Sequence, residues 1–422
     1  MGSAALNANW HPGKERMADD LSTCCVIAGG GPAGMMCGYL LARAGVDVIV
    51  LEKHKDFFRD FRGDTVHPST LEAMYELGLL DDFLKLPHQK ITTLNIEIGS
   101  KTYRPVDTTH LPTRCKFIAL MPQWDFLNFL AQKAKAFPSF HLLMEAEAVD
   151  LLREKGRISG LQIKTPEGMR NIRSDLVIGA DGRHSTVREK AALPLKEFGT
   201  PIDVLWMRIP RLDSDPIDLQ AHAEAGLFFI MIYRGDYWQC AYVIPKGAFG
   251  TIQQDGIEKF RQRLATASGF ALERFDALKS FDDVKLLTVA VNRLTQWARP
   301  GLLCIGDAAH AMSPVGGVGI NLAVQDAIAT ANILSGVLGE RMPVLADLKK
   351  VQRRREFPTR VTQAVQVIVQ DNVVAPTLAA AQDIRAPWIL KLLNAIPYLR
   401  RFPARAVGMG VRPEHIQSRK RA

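Results

Sequence analysis

Thr23-Cys24-Cys25-Val26-Ile27-Ala28-Gly29-Gly30-Gly31-Pro32-Ala33-Gly34 is the stretch on which the fold turns. An apolar, β-branched run ends in glycines spaced G-x-G-x-x-G, and a helical pattern follows at once, from Met35 to Ala44. Gly45 punctuates, Val46 to Leu51 reads as a second buried strand, and Glu52 stands at its end with Lys53 beside it. Each part has a mechanical reason. Gly29 allows the tight turn out of the strand. Gly31 lacks the Cβ that would keep the backbone away from a pyrophosphate, and Gly34, just after Ala33, lets the helix pack against the sheet. The helix N-terminus offers unpaired N–H groups and a partial positive charge to phosphates. Glu52 follows Gly34 by 18 residues, where an acid can accept hydrogen bonds from ribose hydroxyls. This stretch specifies a dinucleotide and leaves FAD and NAD both open.

Two later stretches repeat the design of an apolar strand running into a glycine turn with an acid. Leu176 to Ile178 leads into Gly179-Ala180-Asp181-Gly182, and Ser185 opens a helix at Thr186. Gly301 to Ile305 leads into Gly306-Asp307, followed by His310, the glycine-rich loop Pro314 to Gly319, and a long helix from Asn321. That helix aims its N-terminal N–H groups at the loop, which suits a ring that becomes anionic on reduction.

In order and approximate spacing the three stretches resemble the single-component (group A) FAD-dependent aromatic hydroxylases of the para-hydroxybenzoate hydroxylase type, over about Leu21 to Asp383. The resemblance implies FAD held by Gly29, Gly31, Ala33, Gly34, Glu52, Lys53, Asp181, Gly182, Gly306 and Asp307, with Asp307 on the ribityl chain. It places Pro314 and the Gly316–Gly319 loop, Gly317 among it, flanking the isoalloxazine, and the Ile320 and Asn321 backbone N–H groups at the flavin N1/O2 edge. Arg62, in Phe61-Arg62-Gly63-Asp64, matches the family's arginine near the pyrophosphate. Gln123 stands where the family has Arg or Gln beside the FAD. It credits Asp181 with supporting nicotinamide use as well. No side-chain base is assigned: His310 reads as structural, and His67 and His110 as solvated or capping.

The expected fold is α/β: a Rossmann-like FAD domain of the GR2 type, an inserted mixed β-sheet substrate domain, and a helical C-terminal region. Residues 1–20 form a flexible leader, with Met17 a candidate start. The FAD domain takes 21–90, 118–190 and 290–345, the substrate domain 91–117 and 191–289, and C-terminal helices with a basic tail 346–422. Strand periodicity appears in Ile91–Ile98, Val204–Ile209, Gly226–Ile232 and Trp238–Ile244, with a hairpin turn at Tyr233–Tyr237. The aromatic candidates for the substrate face are Trp206, Phe228, Phe229, Tyr233, Tyr237, Trp238 and Tyr242, with Arg208 read as strand-exposed. Arg353-Arg354-Arg355 lies in a helical stretch ending near Pro358.

With 422 residues, 47% hydrophobic and 23% charged, the chain has ample material for a large core. The net charge is +9, yet from Arg385 to Ala422 nine Lys or Arg face only Glu414. The rest is near neutral, which argues against nucleic-acid binding. That tail reads as a helix packed on the FAD domain, or as a surface touching anionic membranes. The six cysteines form no CxxC pair and no zinc spacing, so free thiols, a cytoplasmic location and no metal are expected. No secretory signal is visible, the myristoylation pattern fails at Leu6, and no apolar run looks long enough to span a bilayer.

The resemblance implies an external monooxygenase. NADPH or NADH reduces FAD, and O2 then gives a C4a-hydroperoxide that oxygenates an apolar or aromatic small molecule in a monomer or homodimer. An FAD-dependent dehydrogenase or reductase of the geranylgeranyl-reductase type is the alternative. A flavin halogenase fits less well: its W-x-W-x-I-P pattern meets Ile209-Pro210, but Leu205 and Met207 occupy the tryptophan positions. A non-catalytic FAD-binding regulator is the reading from another class.

Overall fold

The computed structural model describes residues 20–58, 65–99, 101–215, 219–382 and 384–420. Arg62 and the leader up to residue 19 lie outside the described residues.

Among these, an eight-stranded sheet carries the first motif. Its central strands run in the order Leu302–Cys304, Gly168–Gly179, Asp20–Ala28, Val48–Leu51, Phe140–Leu143, all parallel. Parallel strands are covered on both faces, and here Cys25 to Ala28 are fully buried, which is why they read as an unbroken apolar run. The helix Pro32–Arg43 starts with Gly31 at its N-cap and Pro32 at its first position, where a missing N–H costs nothing. Buried residues run along it from Ala33 to Ala42, so it is sandwiched rather than surface-laid. The strands Glu147–Glu154 and Arg157–Thr165 extend the sheet as an antiparallel meander.

A second, seven-stranded sheet has the order Lys285–Leu287, Ile202–Pro210, Tyr237–Pro245, Leu227–Tyr233, Gln220–Glu224, Thr93–Ile98, Lys101–Asp107. One pairing, Gln220–Glu224 with Thr93–Ile98, is parallel, so the sheet is mixed. The hairpin expected at Tyr233–Tyr237 is closed by the Arg234 N–H donating to the Tyr237 carbonyl at 2.9 Å. Side chains paired across strands share a face. Leu205, Met207, Phe229, Met231, Trp238, Cys240 and Tyr242 pack together with Phe260 and Leu264 of the helix Ile257–Ser268. Val204, Trp206, Phe228, Ile230, Ala241 and Val243 occupy the opposite face. The aromatic list therefore divides. Phe229, Tyr233, Trp238 and Tyr242 belong to the helix-covered side, and of the other three only Trp206 and Phe228 lie in the apolar cluster on the far face.

Two sequence expectations are corrected here. The helix bearing Arg353-Arg354-Arg355 does not end near Pro358 but runs Leu345–Val369 through it. Thr359 and Thr362 hydroxyls donate to the Arg355 and Pro358 carbonyls, and one side of the helix stays buried on both sides of the proline. Residues Val315–Glu340 are also long and apolar enough to cross a membrane, although most of the segment is buried inside the fold. All six cysteines are unpaired thiols.

Candidate active site

The three glycine turns meet where the parallel strands end. Gly29 has φ +104°, and a Cβ there would lie 2.4 Å from the Ala180 carbonyl oxygen. The first and second turns thus touch backbone to backbone, with the Ala180 N–H donating to the Ala28 carbonyl at 2.8 Å. The third joins both: the Ile305 N–H donates to the Gly179 carbonyl at 2.9 Å, and Gly306 presses on Ala33, where a Cβ would sit 2.9 Å from the alanine's own. Arg183 Nε reaches Asp307 Oδ2 at 3.2 Å. Arg188 donates to the Ala308 carbonyl at 3.0 Å and the Arg183 carbonyl at 2.6 Å, tying the second turn to the third.

The residues at this junction can take an FAD. A Cβ on Gly31 would meet no protein atom within 4 Å, so the backbone at the helix N-terminus has the open approach a pyrophosphate requires. Gly34 is constrained differently, since its Cβ would collide with the Gly29 carbonyl oxygen at 1.9 Å. The Glu52 side chain is buried against Gly30 and accepts the His54 N–H at 3.0 Å. Lys53 is exposed beside it, and Gln123 is half-buried at the start of the helix Gln123–Ala134.

Asp181 is already engaged. Its carboxylate accepts from the Ser185 hydroxyl at 2.5 Å and from the Val187 N–H at 3.1 Å, holding the start of the helix Thr186–Lys190. Burial raises its pKa, against the pull of those two bonds. Gly182, at φ +84°, completes the turn. Its geometry gives the second stretch a scaffolding task.

The loop after the third turn is held from two sides. Gly317, at φ +62°, has its carbonyl bound by the Thr65 hydroxyl at 2.7 Å and by His67 Nε2 at 3.0 Å. His67 is fully buried, and burial pulls its pKa down to about 4, so the ring is neutral and Nε2–H donates. The solvated or capping role expected for His67 is thereby corrected: it precedes the helix Pro68–Glu76, but its ring turns inward to the loop. His110 is exposed, as expected. From the other side Gln366 donates to the carbonyls of Ser313 and Val315 at 2.9 and 2.8 Å and accepts the Ser313 N–H at 3.2 Å. Pro314 lies within that grip.

The long helix begins at Gly319, two residues before the expected Asn321, so the N–H groups of Gly319, Ile320 and Asn321 occupy its first turn and have no partner four residues back. Asn321 is buried, its oxygen accepting from Ser69 at 2.5 Å and Thr70 at 3.1 Å.

Sequence reading missed the support beneath the third turn. Asp326, fully buried, accepts the Gly306 N–H at 3.0 Å, His310 Nε2 at 2.6 Å and Arg355 Nε at 2.9 Å. Burial raises the Asp326 carboxyl, but His310 and Arg355 outweigh it and hold it below the usual carboxylate range. Arg355 also reaches Glu414, the lone acid of the basic tail, at 3.3 Å. His310 is structural, as read. Arg355 had a signal, the arginine triplet, but nothing in it distinguished the one buried member.

Residues 22–365 match the family described as FAD binding domain. The chain is 30% identical over 387 residues to a 6-methylpretetramide 4-monooxygenase of Streptomyces rimosus, covering 91% of each. It is 26% identical over 310 residues to a rifampicin monooxygenase of Streptomyces venezuelae, spanning 72% of this chain and 62% of that one. Its fold is similar to that of p-nitrophenol 4-monooxygenase from Pseudomonas putida DLL-E4, with a TM-score of 0.72 at 20% identity over 92% and 97% of the two chains. The chain belongs to the FAD binding domain family, and within it to the FAD-dependent monooxygenases of the para-hydroxybenzoate hydroxylase-like group.

Proposed function

We propose that this monooxygenase draws electrons from NADPH or NADH and inserts one atom of O2 into an apolar aromatic compound seated between the Trp206 face of the seven-stranded sheet and the Pro314–Gly319 loop. The observation that carries this reading is the convergence of all three glycine turns beside a loop that faces that sheet through Val407. Val407 packs with Met312, Val318 and Leu322 of the loop and helix, and with the cluster of Ile118, Leu120 and Ile232 that Trp206 and Ile230 adjoin.

FAD, when bound, supplies the redox chemistry with nicotinamide and O2. The protein's part is placement. The N–H groups of Gly319, Ile320 and Asn321 and the helix dipole behind them favour negative charge at the loop. Thr65, His67 and Gln366 fix the loop's backbone, so those donors are preorganised. The Met312–Val407 apolar packing excludes water from the reaction space. Gly31, Glu52, Asp307 and Gln123 are assigned to the cofactor in this reading, and Asp181 to holding the turn that positions them.

Stopped-flow mixing of the anaerobic FAD-loaded protein with NADPH or NADH tests the electron source. Bleaching of the flavin followed by oxygen uptake on aeration is expected. A flavin that neither nucleotide bleaches, with or without aromatic ligands, contradicts it.

A cytoplasmic, monomeric or dimeric protein is the companion reading, with peripheral contact to anionic membranes. Its support is the tail surface, where Trp388, Tyr398 and Phe402 are 73%, 61% and 67% exposed. Lys391, Arg401 and Arg405 are exposed among them.

A further inference from the structure

The helix Leu345–Val369 passes into one turn of π-helix, Gln370–Val374, before Ala375–Ala379 resumes α geometry. Such turns are rare and concentrate at functional sites. The position of this one is informative. Four residues before Gln370, Gln366 holds the carbonyls of Ser313 and Val315 in the loop beside the cofactor turns. Four residues after it, Val374 is buried against Val204, Ala241 and Val243 of the seven-stranded sheet, with Trp206, Phe228 and Ile230 alongside. Gln370 therefore stands at the seam where loop and sheet face meet.

Its side chain is fully buried, and neither the amide nitrogen nor the amide oxygen has a partner among the described residues. The contrast with its neighbours is sharp. Gln363 and Gln366, on the same side of the same helix, use both ends of their amides on the backbone or side chains around Asn292, Ala311 and Ser313. Trp206, on the sheet face opposite, also has a buried indole N–H without a partner. An unpaired buried amide is destabilising, and a leucine of similar volume would avoid the penalty. A donor and an acceptor held side by side, on the helical segment whose Val374 packs in the same apolar cluster as Trp206, suit a ligand with matching oxygens.

We propose that Gln370 is the polar anchor of the substrate site, its carboxamide pairing with adjacent hydroxyl and carbonyl oxygens of an uncharged polycyclic hydroxyketone. The rings lie along Trp206 and Phe228, and the Trp206 N–H gives a further donor. This rests on the monooxygenase reading and narrows its substrate. Gln366, Gln370, Trp206, Phe228 and Val374 carry no charge. Arg208, the arginine a substrate carboxylate would need on this sheet, is exposed and stacks over Tyr237 at 5.0 Å.

The test uses the full FAD-loaded chain and the variants Gln370→Leu and Gln366→Leu. Binding of emodin, a neutral hydroxyketone, of anthracene as the bare hydrocarbon and of para-hydroxybenzoate is read from the flavin spectrum. Gln370→Leu is expected to raise the emodin Kd about tenfold while changing that of anthracene less than about twofold. The ligand-free Tm of Gln370→Leu should match or exceed the parent's, whereas Gln366→Leu should lower it. Three results would overturn the proposal. One is equal emodin affinity in parent and Gln370→Leu, and another is a ligand-free Tm falling as far in Gln370→Leu as in Gln366→Leu. The third is a parent protein that binds no neutral hydroxyketone in a panel headed by emodin. Oxygen uptake is measured separately: a parent that binds emodin through Gln370 but never consumes O2 fails the electron-transfer reading and leaves this one standing.

Discussion

Gly31 and Gly34 answer different demands three residues apart. Gly31→Ala puts a methyl where no protein atom lies within 4 Å, so ligand-free stability should fall by no more than about 1 kcal/mol, the preference of an N-cap for glycine over alanine. FAD affinity should fall at least about tenfold, read as the flavin-to-protein ratio after gel filtration. Gly34→Ala drives its methyl to 1.9 Å from the Gly29 carbonyl oxygen and should cost roughly 1–3 kcal/mol in urea unfolding before any cofactor is added. If both variants lose stability alike, Gly31 has no cofactor-specific task. His67 gives a pH signature. Its folded pKa of about 4 lies below the value of 6.5 in the open chain, so the unfolded state binds the extra proton. The contribution of the neutral ring is complete above pH 6.5 and is lost as pH falls towards 4, a swing of about 3 kcal/mol. His67→Gln keeps an N–H for the Gly317 carbonyl without titrating, so its stability should fall less than the parent's between those pH values. Identical pH profiles would show that the ring does not stay neutral.

The first and third motifs could be read from sequence because each couples a glycine requirement to a strand and a helix start. The second half of the helix Leu345–Val369 could not. Past Pro358 its buried residues, Thr359, Gln363 and Gln366, are polar, and an apolar stripe is the signal by which a buried helix face is recognised. Pro358 looked like its end because the stabilising partners lie far away in sequence. The faces of the seven-stranded sheet were equally hidden. Alternation says that Trp206 and Met207 point opposite ways, but only cross-strand pairing shows which way faces the loop. The buried cluster of Asp326, His310 and Arg355 beneath the third turn makes a prediction at this scale. Arg355→Ala leaves Asp326 charged and buried with one cation fewer, at a cost of about 3–5 kcal/mol. Because Asp326 also holds the Gly306 N–H, flavin release on heating should precede global unfolding, followed by flavin fluorescence and circular dichroism together. A single coincident transition at the parent's temperature would show that Arg355 and Asp326 do not hold the third turn.

In the whole molecule the C-terminal segment is tied into the core. Val407 adjoins the loop, Glu414 enters the buried ion-pair network, and Met409 accepts a hydrogen bond from Gln325 at 3.1 Å, so deleting the tail would disturb the core. Membrane contact is better tested with Trp388→Ser and Phe402→Ser together, both exposed. Co-sedimentation with phosphatidylserine vesicles at low salt should weaken at least about tenfold, and it should vanish for the parent with uncharged vesicles. Equal binding by parent and double variant would leave the tail as packing alone. That three distant turns hold one FAD for oxygen insertion is tested most directly by isotope. The FAD-loaded protein is turned over with NADPH and a panel of neutral hydroxyketones under isotopically heavy O2 in ordinary water. A product heavier by one labelled oxygen atom is expected, with no turnover without O2. Product oxygen drawn only from water, or turnover that continues anaerobically, would contradict it.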